Sequence, residues 1–252
     1  MLQGTHSRET RDGAREVKFL VSADRTAGIL DWARSRLSPD PHAGGPTGDE
    51  YRTSTVYFDT AELAVFNRQG SYGRSKYRIR RYGTSEVAFL ERKLRTNGKL
   101  SKRRTVIGAT DLHGLVSSAH PGEPYRWFVD RLAARRLSPI CQVSYRRRAL
   151  VGLGPYGPMR LTFDDEIKAQ PNVTTLFAPD GGRPVGTAHV IIEMKFCLEI
   201  PTVLKHLVEE FGLSPAPISK YRLALGELTQ MAGVGTSPGG AIGHKAPGWA
   251  NA

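Results

Sequence analysis

The segment Lys76-Tyr77-Arg78-Ile79-Arg80 alternates basic side chains with aromatic and apolar ones. Successive side chains of a β-strand point to opposite faces of a sheet, so this spacing predicts a strand with one basic face. The same alternation returns in Phe89-Leu90-Glu91-Arg92-Lys93, Arg160-Leu161-Thr162-Phe163-Asp164 and Val190-Ile191-Ile192-Glu193-Met194-Lys195-Phe196. Several such strands side by side form a surface lined mainly with lysine and arginine, which suits a polyanion.

Segments with a strand pattern extend on both sides of this one and predict a β-rich α+β fold. Eight of them stand out: 16–21, 52–59, 75–82, 86–93, 102–107, 140–150, 159–167 and 188–196. Eight strands are a natural number for closing a barrel. Helical spacing appears in 24–37, 124–137, 201–211 and 219–231, and in the first of these Asp24 is a candidate cap for a stripe of Ile29, Leu30, Ala33 and Leu37.

The alternation leaves two arrangements open for a closed sheet. Either the apolar side chains fill the inside and the charges face water, or the charges line a lumen and the apolar side chains lie outside. The amphipathic helices need an apolar surface to cover, and this favours the charged lumen.

Composition limits the partners and the compartment. The chain has 252 residues, a formal net charge of +12 and a pI near 10.0, which implies an anionic partner such as nucleic acid, phosphorylated metabolites or an acidic membrane. Cys141 falls in a predicted strand and Cys197 directly follows one, so we expect reduced thiols rather than a disulfide. No apolar run approaches the ~18 residues of a membrane span, so we expect a cytoplasmic protein without membrane insertion. Residues 1–14 and 232–252 read as disordered tails around one domain over 15–231.

Three familiar motifs are excluded. Gly152-Leu153-Gly154-Pro155-Tyr156-Gly157 has dinucleotide-site spacing, but Pro158 and a strand follow it, so we interpret it as a hairpin loop. The segment Asn97-Gly98-Lys99-Leu100 lacks the first glycine and the hydroxyl residue of a P-loop. The seven histidines are scattered, which argues against a His/Cys metal site.

Six blocks of sequence resemble the VTC-domain polyphosphate polymerases, a branch of the triphosphate tunnel metalloenzymes, and they come in the order of that family. The blocks are Tyr57-Phe58-Asp59-Thr60, Tyr77-Arg78-Ile79-Arg80-Arg81-Tyr82-Gly83, Phe89-Leu90-Glu91-Arg92-Lys93, Ser101-Lys102-Arg103-Arg104, Ile192-Glu193-Met194-Lys195 and Ile218-Ser219-Lys220-Tyr221. The resemblance spans about residues 16–228 and implies a closed eight-stranded antiparallel β-barrel, the tunnel, with flanking helices. It also implies transfer of the γ-phosphoryl group of ATP to inorganic polyphosphate, release of ADP, and a divalent metal, Mn²⁺ or Mg²⁺.

The resemblance also implies a set of site residues. Those expected to act in catalysis are Lys18, Arg78, Arg80, Lys93, Lys102, Arg147, Arg160 and Lys220. Further substrate contacts are expected from Lys76, Glu91, Arg104 and Lys195, and metal binding from Glu193. Arg147 adjoins Arg146 and Arg148, which leaves its register open by one residue. The chemistry is consistent, since arginine forks hold phosphates bidentately and a carboxylate suits a hard cation.

The sequence also departs from the relatives. The hydrolase branch of the tunnel superfamily begins with E-x-E-x-K, and Ala14-Arg15-Glu16-Val17-Lys18 lacks the first glutamate. This departure weakens a hydrolase reading without excluding it, so a tripolyphosphatase or nucleoside triphosphatase stays an alternative. The regulatory SPX domain and membrane helices of larger relatives have no counterpart here, so membrane recruitment would need a partner.

A third alternative is a non-catalytic binder of polyphosphate or nucleic acid. We expect no nucleic acid, because Tyr77 alternates with Arg78 and is predicted to pack rather than stack on bases.

Overall fold

The fold is described here from a computed structural model that covers residues 7–10, 14–96, 99–115, 123–179 and 181–231. The strands are β1 Ser7–Thr10, β2 Ala14–Ser22, β3 Ser38–Pro39, β4 Glu50–Asp59, β5 Ser75–Tyr82, β6 Val87–Thr96, β7 Lys99–Gly108, β8 Ser138–Gly154, β9 Gly157–Pro171, β10 Arg183–Pro184 and β11 His189–Cys197. The helices are α1 Ala23–Arg34, α2 Glu123–Ala134, α3 Thr202–Glu210 and α4 Lys220–Met231, with short 3-10 helices at Gly70–Arg74 and Thr110–His113.

The strands form one antiparallel sheet in the order β1-β7-β6-β5-β4-β8-β9-β11-β2, with β3 and β10 added beside β8 and β9. Each of the eight predicted strands corresponds to one of these, and each predicted helix is present. The closed eight-stranded barrel is not confirmed, because the described part has eleven strands and its end strands β1 and β2 do not pair. β1, which pairs with β7, lies in the segment 1–14 that was predicted to be a disordered tail. Residues 232–252 lie outside the described part.

The sheet curls so strongly that side chains of distant strands meet across the concave face. The Lys93 Nζ on β6 lies 2.9 and 3.0 Å from the Glu16 carboxylate on β2, although five strands separate β6 from β2 along the sheet. The free edge of β2 is covered by the segment 215–218, where the Ala216 N–H donates to the Lys18 carbonyl over 2.8 Å. The Lys93–Glu16 ion pair therefore spans the concave face, and the segment 215–218 covers the edge of β2 that does not pair with β1.

Apolar side chains lie on the convex side of the sheet, beneath the helices. Ile79 and Leu90 are fully buried in one core cluster with Trp127 and Phe128 of α2. A second cluster joins α1 and α3 to β2, β9 and β11. The basic residues that alternate with these apolar ones face the concave side. The predicted sides are therefore confirmed, with charges on the inner face and apolar side chains beneath the helices, although a closed lumen is not.

Several smaller predictions can be compared with the structure. Gly154 pairs with Gly157 in the β8–β9 hairpin, as expected for that glycine-rich loop. Both cysteines are free thiols. Ser22 occupies the N-cap of α1, and Asp24 lies in the first turn instead, where its charge still suits the helix dipole. Among the described helices, none is long and apolar enough to cross a membrane.

Candidate functional site

Two glutamates and three lysines from three strands meet at one end of the concave face. The Lys18 Nζ lies 3.0 Å from Glu16 and 3.2 Å from Glu193, and the Lys195 Nζ lies 2.8 Å from Glu193. Lys93 of β6 reaches Glu16 across the concave face. We call these five residues the double-glutamate cluster. The register explains the arrangement, because β11 pairs Glu193 with Lys18 and Lys195 with Glu16.

Both carboxylates of the double-glutamate cluster are ionised at neutral pH. Burial and Glu193 act to raise the pKa of Glu16, but Lys18, Lys93 and Lys195 outweigh them and lower it to about 2. Burial also opposes ionisation of Glu193, yet Lys195 and Lys18 hold its pKa well below the usual range. Burial acts to lower the pKa of Lys18, and the two glutamates raise it instead. The cluster is an alternating network of full charges, with buried carboxylates and partly exposed lysines.

A third glutamate organises the middle of β5, β6 and β7. Glu91 is 1% exposed and accepts from the Arg78 Nε over 2.7 Å and from the Arg104 Nε over 2.8 Å, while the Lys102 Nζ lies at 3.0 Å. Glu91 was expected to contact substrate, but three cations already surround its carboxylate. The geometry makes it the counter-charge that holds those cations in place.

Asp164 plays the same part where β8, β9 and α4 meet. It has no exposed surface and accepts from the Arg147 Nε and Nη2 over 2.6 and 2.7 Å. The Lys220 Nζ contacts the same carboxylate and lies 5.0 Å from the ring centre of Tyr145. Burial acts to raise the pKa of Asp164, but Arg147 and Lys220 lower it to about 2. Arg147 is the arginine of this triplet on the concave face, since Arg146 and Arg148 pair with Asp165 on the other face.

Arg80 differs from these basic residues because no carboxylate pairs with it among the described residues. Arg80 is only 7% exposed, and its Nε donates to the Thr55 hydroxyl over 3.1 Å. The nearby Tyr145 hydroxyl is buried and has no hydrogen-bond partner in the described part. A buried guanidinium without a paired carboxylate costs free energy, and an anion in the concavity would reduce that cost.

Lys76 and Arg160 lie at the margins of the concave face. The Lys76 Nζ is 2.7 Å from the Ser219 hydroxyl, and the Arg160 guanidinium lies 2.6 Å from Asp40 and 2.5 Å from the Tyr51 hydroxyl. Burial, together with Lys18 and Lys93, lowers the pKa of Lys76 to about 7. Lys76 therefore changes charge close to neutral pH.

We expect the affinity for inorganic triphosphate to fall as the pH rises through about 7, because Lys76 then loses its charge. Lys76→Arg should remove this part of the pH dependence, since arginine stays protonated. Calorimetric titrations of both proteins across that range provide the measurement. The ligand and the other groups titrate alike in both, so identical profiles would remove Lys76 from the binding site.

Asp59 and Tyr221 hold α4, and with it Lys220, against the sheet. Asp59 is fully buried and accepts from the backbone N–H groups of Thr60, Val65 and Phe66 over 2.7 to 2.9 Å. The Tyr221 hydroxyl donates to the same carboxylate. Tyr221 follows Lys220 in α4. The hydrogen bond from Tyr221 to Asp59 therefore also holds Lys220 where it contacts Asp164.

Tyr221→Phe should lower the free energy of unfolding by about 1.5–3 kcal/mol, the range for a hydrogen bond to a charged group. Denaturant titration measures this loss. The matched control is Tyr125→Phe, whose hydroxyl lies 3.5 Å from Asp111 at an exposed position, and we expect a loss below about 0.5 kcal/mol there. Equal losses in the two variants would contradict the role given to Tyr221.

The structure brings the thirteen sequence-predicted site residues to one face, around five carboxylates, a threonine and a serine. Sequence reasoning did not include Glu16 or Asp164 among the site residues. Asp164 lies in the alternating segment of β9, an even number of residues after Arg160, and this spacing predicts that both side chains share one face. Asp59 stood in a family block without a role, and only the fold shows what it binds.

The sequence matches the VTC domain family over residues 13–228. The chain belongs to the VTC domain family. Among curated proteins, no match to this VTC domain is found.

Solved structures resemble the VTC domain in fold. A Bacillus halodurans protein named as a candidate adenylate cyclase is 17% identical, with a TM-score of 0.52 over 82% of this chain and 96% of that one. A Hippeastrum protein, named as a candidate adenylyl cyclase with a dominant triphosphatase activity, is 15% identical, with a TM-score of 0.48 over 84% and 95%. A Pyrococcus horikoshii protein is 14% identical, with a TM-score of 0.46 over 84% and 99%. At such identities the first likeness supports the fold alone.

Proposed function

We propose that this VTC domain is a polyphosphate polymerase, which transfers the γ-phosphoryl group of ATP to a growing inorganic polyphosphate chain and releases ADP. One observation carries the proposal. Basic side chains from seven strands and α4 converge on one concave face and outnumber the buried carboxylates that order them. The excess positive charge suits a linear polyanion, and family membership supports phosphate as its repeating unit.

The arrangement suits phosphoryl transfer because that reaction needs mainly positioning and charge neutralisation. Its transition state is loose and spreads negative charge over the nonbridging oxygens. No carboxylate forms an ion pair with Arg80 in the described part, so its fork is available for two phosphate oxygens. Arg78 and Arg147 are held at fixed angles by Glu91 and Asp164, so they lose little entropy when a phosphate binds.

The double-glutamate cluster fits a hard divalent cation such as Mn²⁺ or Mg²⁺. Glu193 and Glu16 are both ionised, and carboxylate oxygens are the ligands these ions take. The described residues contain no group of three or more metal-binding side chains, so phosphate and water would complete the coordination. When bound, the cation neutralises charge on the phosphate oxygens. Lys18 and Lys195 balance the two glutamates when it is absent.

Incubation of the purified protein with ATP and Mn²⁺ tests the proposal. We expect ADP and a phosphate polymer, separated by gel electrophoresis and sensitive to an exopolyphosphatase. Arg80→Gln should suppress both products together. No polymer with Mn²⁺ or Mg²⁺, with or without a polyphosphate primer, would overturn the proposal.

Hydrolysis of triphosphate or nucleoside triphosphate is the second candidate, favoured by Glu16. This residue keeps the second glutamate of the E-x-E-x-K pattern, and it lies beside Glu193 around the shared Lys18. The two carboxylates could therefore serve a hydrolase with water as the acceptor. Release of orthophosphate without chain growth in the same assay would favour this reaction over polymer synthesis.

A further inference from the structure

A second group of arginines lies on the convex side of the sheet, behind the concave face. Arg74, Arg92, Arg131 and Arg135 line a cavity of about 350 Å³, which we call the arginine pocket. It lies between the end of α2, the 3-10 helix Gly70–Arg74, and the neighbouring ends of β5 and β6. Arg92 alternates along β6 with residues of the concave face, so the two sites are separated by the sheet.

The arginine pocket has no built-in counter-charge. Across the described ranges, no Asp or Glu forms an ion pair with any of its four arginines. The Nε atoms of Arg92 and Arg135 are buried and have no hydrogen-bond partner in the same ranges. This contrasts with the concave face, where buried carboxylates hold most of the cations. Like charges gathered in a partly shielded cavity repel each other, and a bound anion would reverse that cost.

One of the arginines is already held in position. The Arg135 guanidinium lies 4.2 Å from the ring centre of Tyr72 and donates to the Ser71 hydroxyl over 3.3 and 3.4 Å. The Ser75 hydroxyl also lines the pocket, so neutral donors stand beside the cations. A planar fork fixed by stacking is suited to two oxygens of one phosphate group.

Size and surface chemistry select the ligand. The cavity holds roughly ten times the ~30 Å³ that a water molecule occupies in the liquid, so it has room for more than one phosphate group. Nucleic acid would need exposed aromatic faces for its bases. Arg135 covers the Tyr72 ring, and Tyr77 is 3% exposed and packs against Phe128. We propose that the arginine pocket binds a short inorganic oligophosphate on the convex side of the sheet.

Calorimetric titration of the full chain with inorganic triphosphate, without ATP or metal, tests this proposal. The wild-type protein should bind two equivalents, one on the concave face and one in the arginine pocket. Arg74→Gln/Arg131→Gln changes two exposed side chains and should weaken one site at least tenfold while leaving the other unchanged. Arg80→Gln should show the reverse pattern. Arg25→Gln/Arg126→Gln removes the same charge at exposed positions elsewhere and should bind as the wild type does.

The outcomes separate this site from the proposed function. If only one equivalent binds and Arg74→Gln/Arg131→Gln alone removes it, the pocket stands and phosphate binding on the concave face fails. If Arg74→Gln/Arg131→Gln titrates as the wild type does, the pocket is overturned. If a single-stranded oligonucleotide displaces triphosphate from the Arg80→Gln protein at similar concentration, the ligand is nucleic acid and the oligophosphate assignment is wrong.

Discussion

Glu193→Gln lowers metal-dependent turnover on the order of 10²–10³-fold and leaves triphosphate binding unchanged or tighter, if the double-glutamate cluster acts as proposed. The amide keeps the shape of the side chain but removes the charge that a divalent cation needs. Lys18 and Lys195 then lose an opposing charge at 3.2 and 2.8 Å, so the concave face becomes more positive. Initial rates with Mn²⁺ and calorimetry with triphosphate separate the two effects.

Glu86→Gln is the matched control, because Glu86 is exposed in the turn between β5 and β6 and should keep wild-type turnover. A Glu193→Gln protein that turns over within twofold of the wild type would remove this residue from the mechanism. A parallel loss of triphosphate affinity would also count against the assignment, since it would mean that the fold of the face had changed.

Asp164→Asn should lower the free energy of unfolding by about 3–5 kcal/mol, the range for breaking a buried ion pair. The change leaves two buried cations, Arg147 and Lys220, without their carboxylate. Triphosphate should restore part of the loss, because an anion that binds only the folded state stabilises it by mass action. Denaturant titrations with and without triphosphate measure both quantities.

Asp165→Asn provides the comparison, since Asp165 pairs with Arg146 and Arg148 on the other face, where the side chains keep more contact with water. We expect less than half the loss there, and no larger rescue by triphosphate than the wild-type protein shows. Equal losses for the two aspartates would contradict the special place of Asp164.

Acid titration checks the same residue. The pKa of Asp164 is lowered to about 2 in the folded protein, whereas an unperturbed aspartate has a pKa of about 3.9. Its stabilising contribution is therefore complete above about pH 3.9 and is lost as the pH falls through about 2. The Asp164→Asn protein should lack this component of acid unfolding.

The period of the sequence was sufficient for the strands and for the charged side of the sheet. Lys76, Arg78 and Arg80 share one face by parity alone, and the amphipathic helices required an apolar face opposite. Closure could not be read in the same way. It depends on how far the sheet curls and on the segment 215–218, which carries no strand pattern yet bonds to β2.

The site, too, could be predicted only in part from the sequence. The alternating pattern and the family resemblance supplied the basic residues and Glu193, while the pairing of each cation with its carboxylate needed three-dimensional contacts. Asp164 lies opposite Arg147 because the register of β8 and β9 shifts between Ser144 and Arg146. A bulge of this kind changes which residues face each other without a clear mark in the sequence. Lys220 meets that carboxylate only because Asp59 holds the next residue of α4.

Residues 215–218 and Lys220 follow every strand of the described residues, so the ribosome releases them after all of those strands. Until they emerge, the nascent chain carries an uncovered β2 edge that can pair with another molecule. Asp164 then has Arg147 as partner but still lacks Lys220. Completion of the basic face is therefore a late step of folding, and the same step removes the strand edge that favours aggregation.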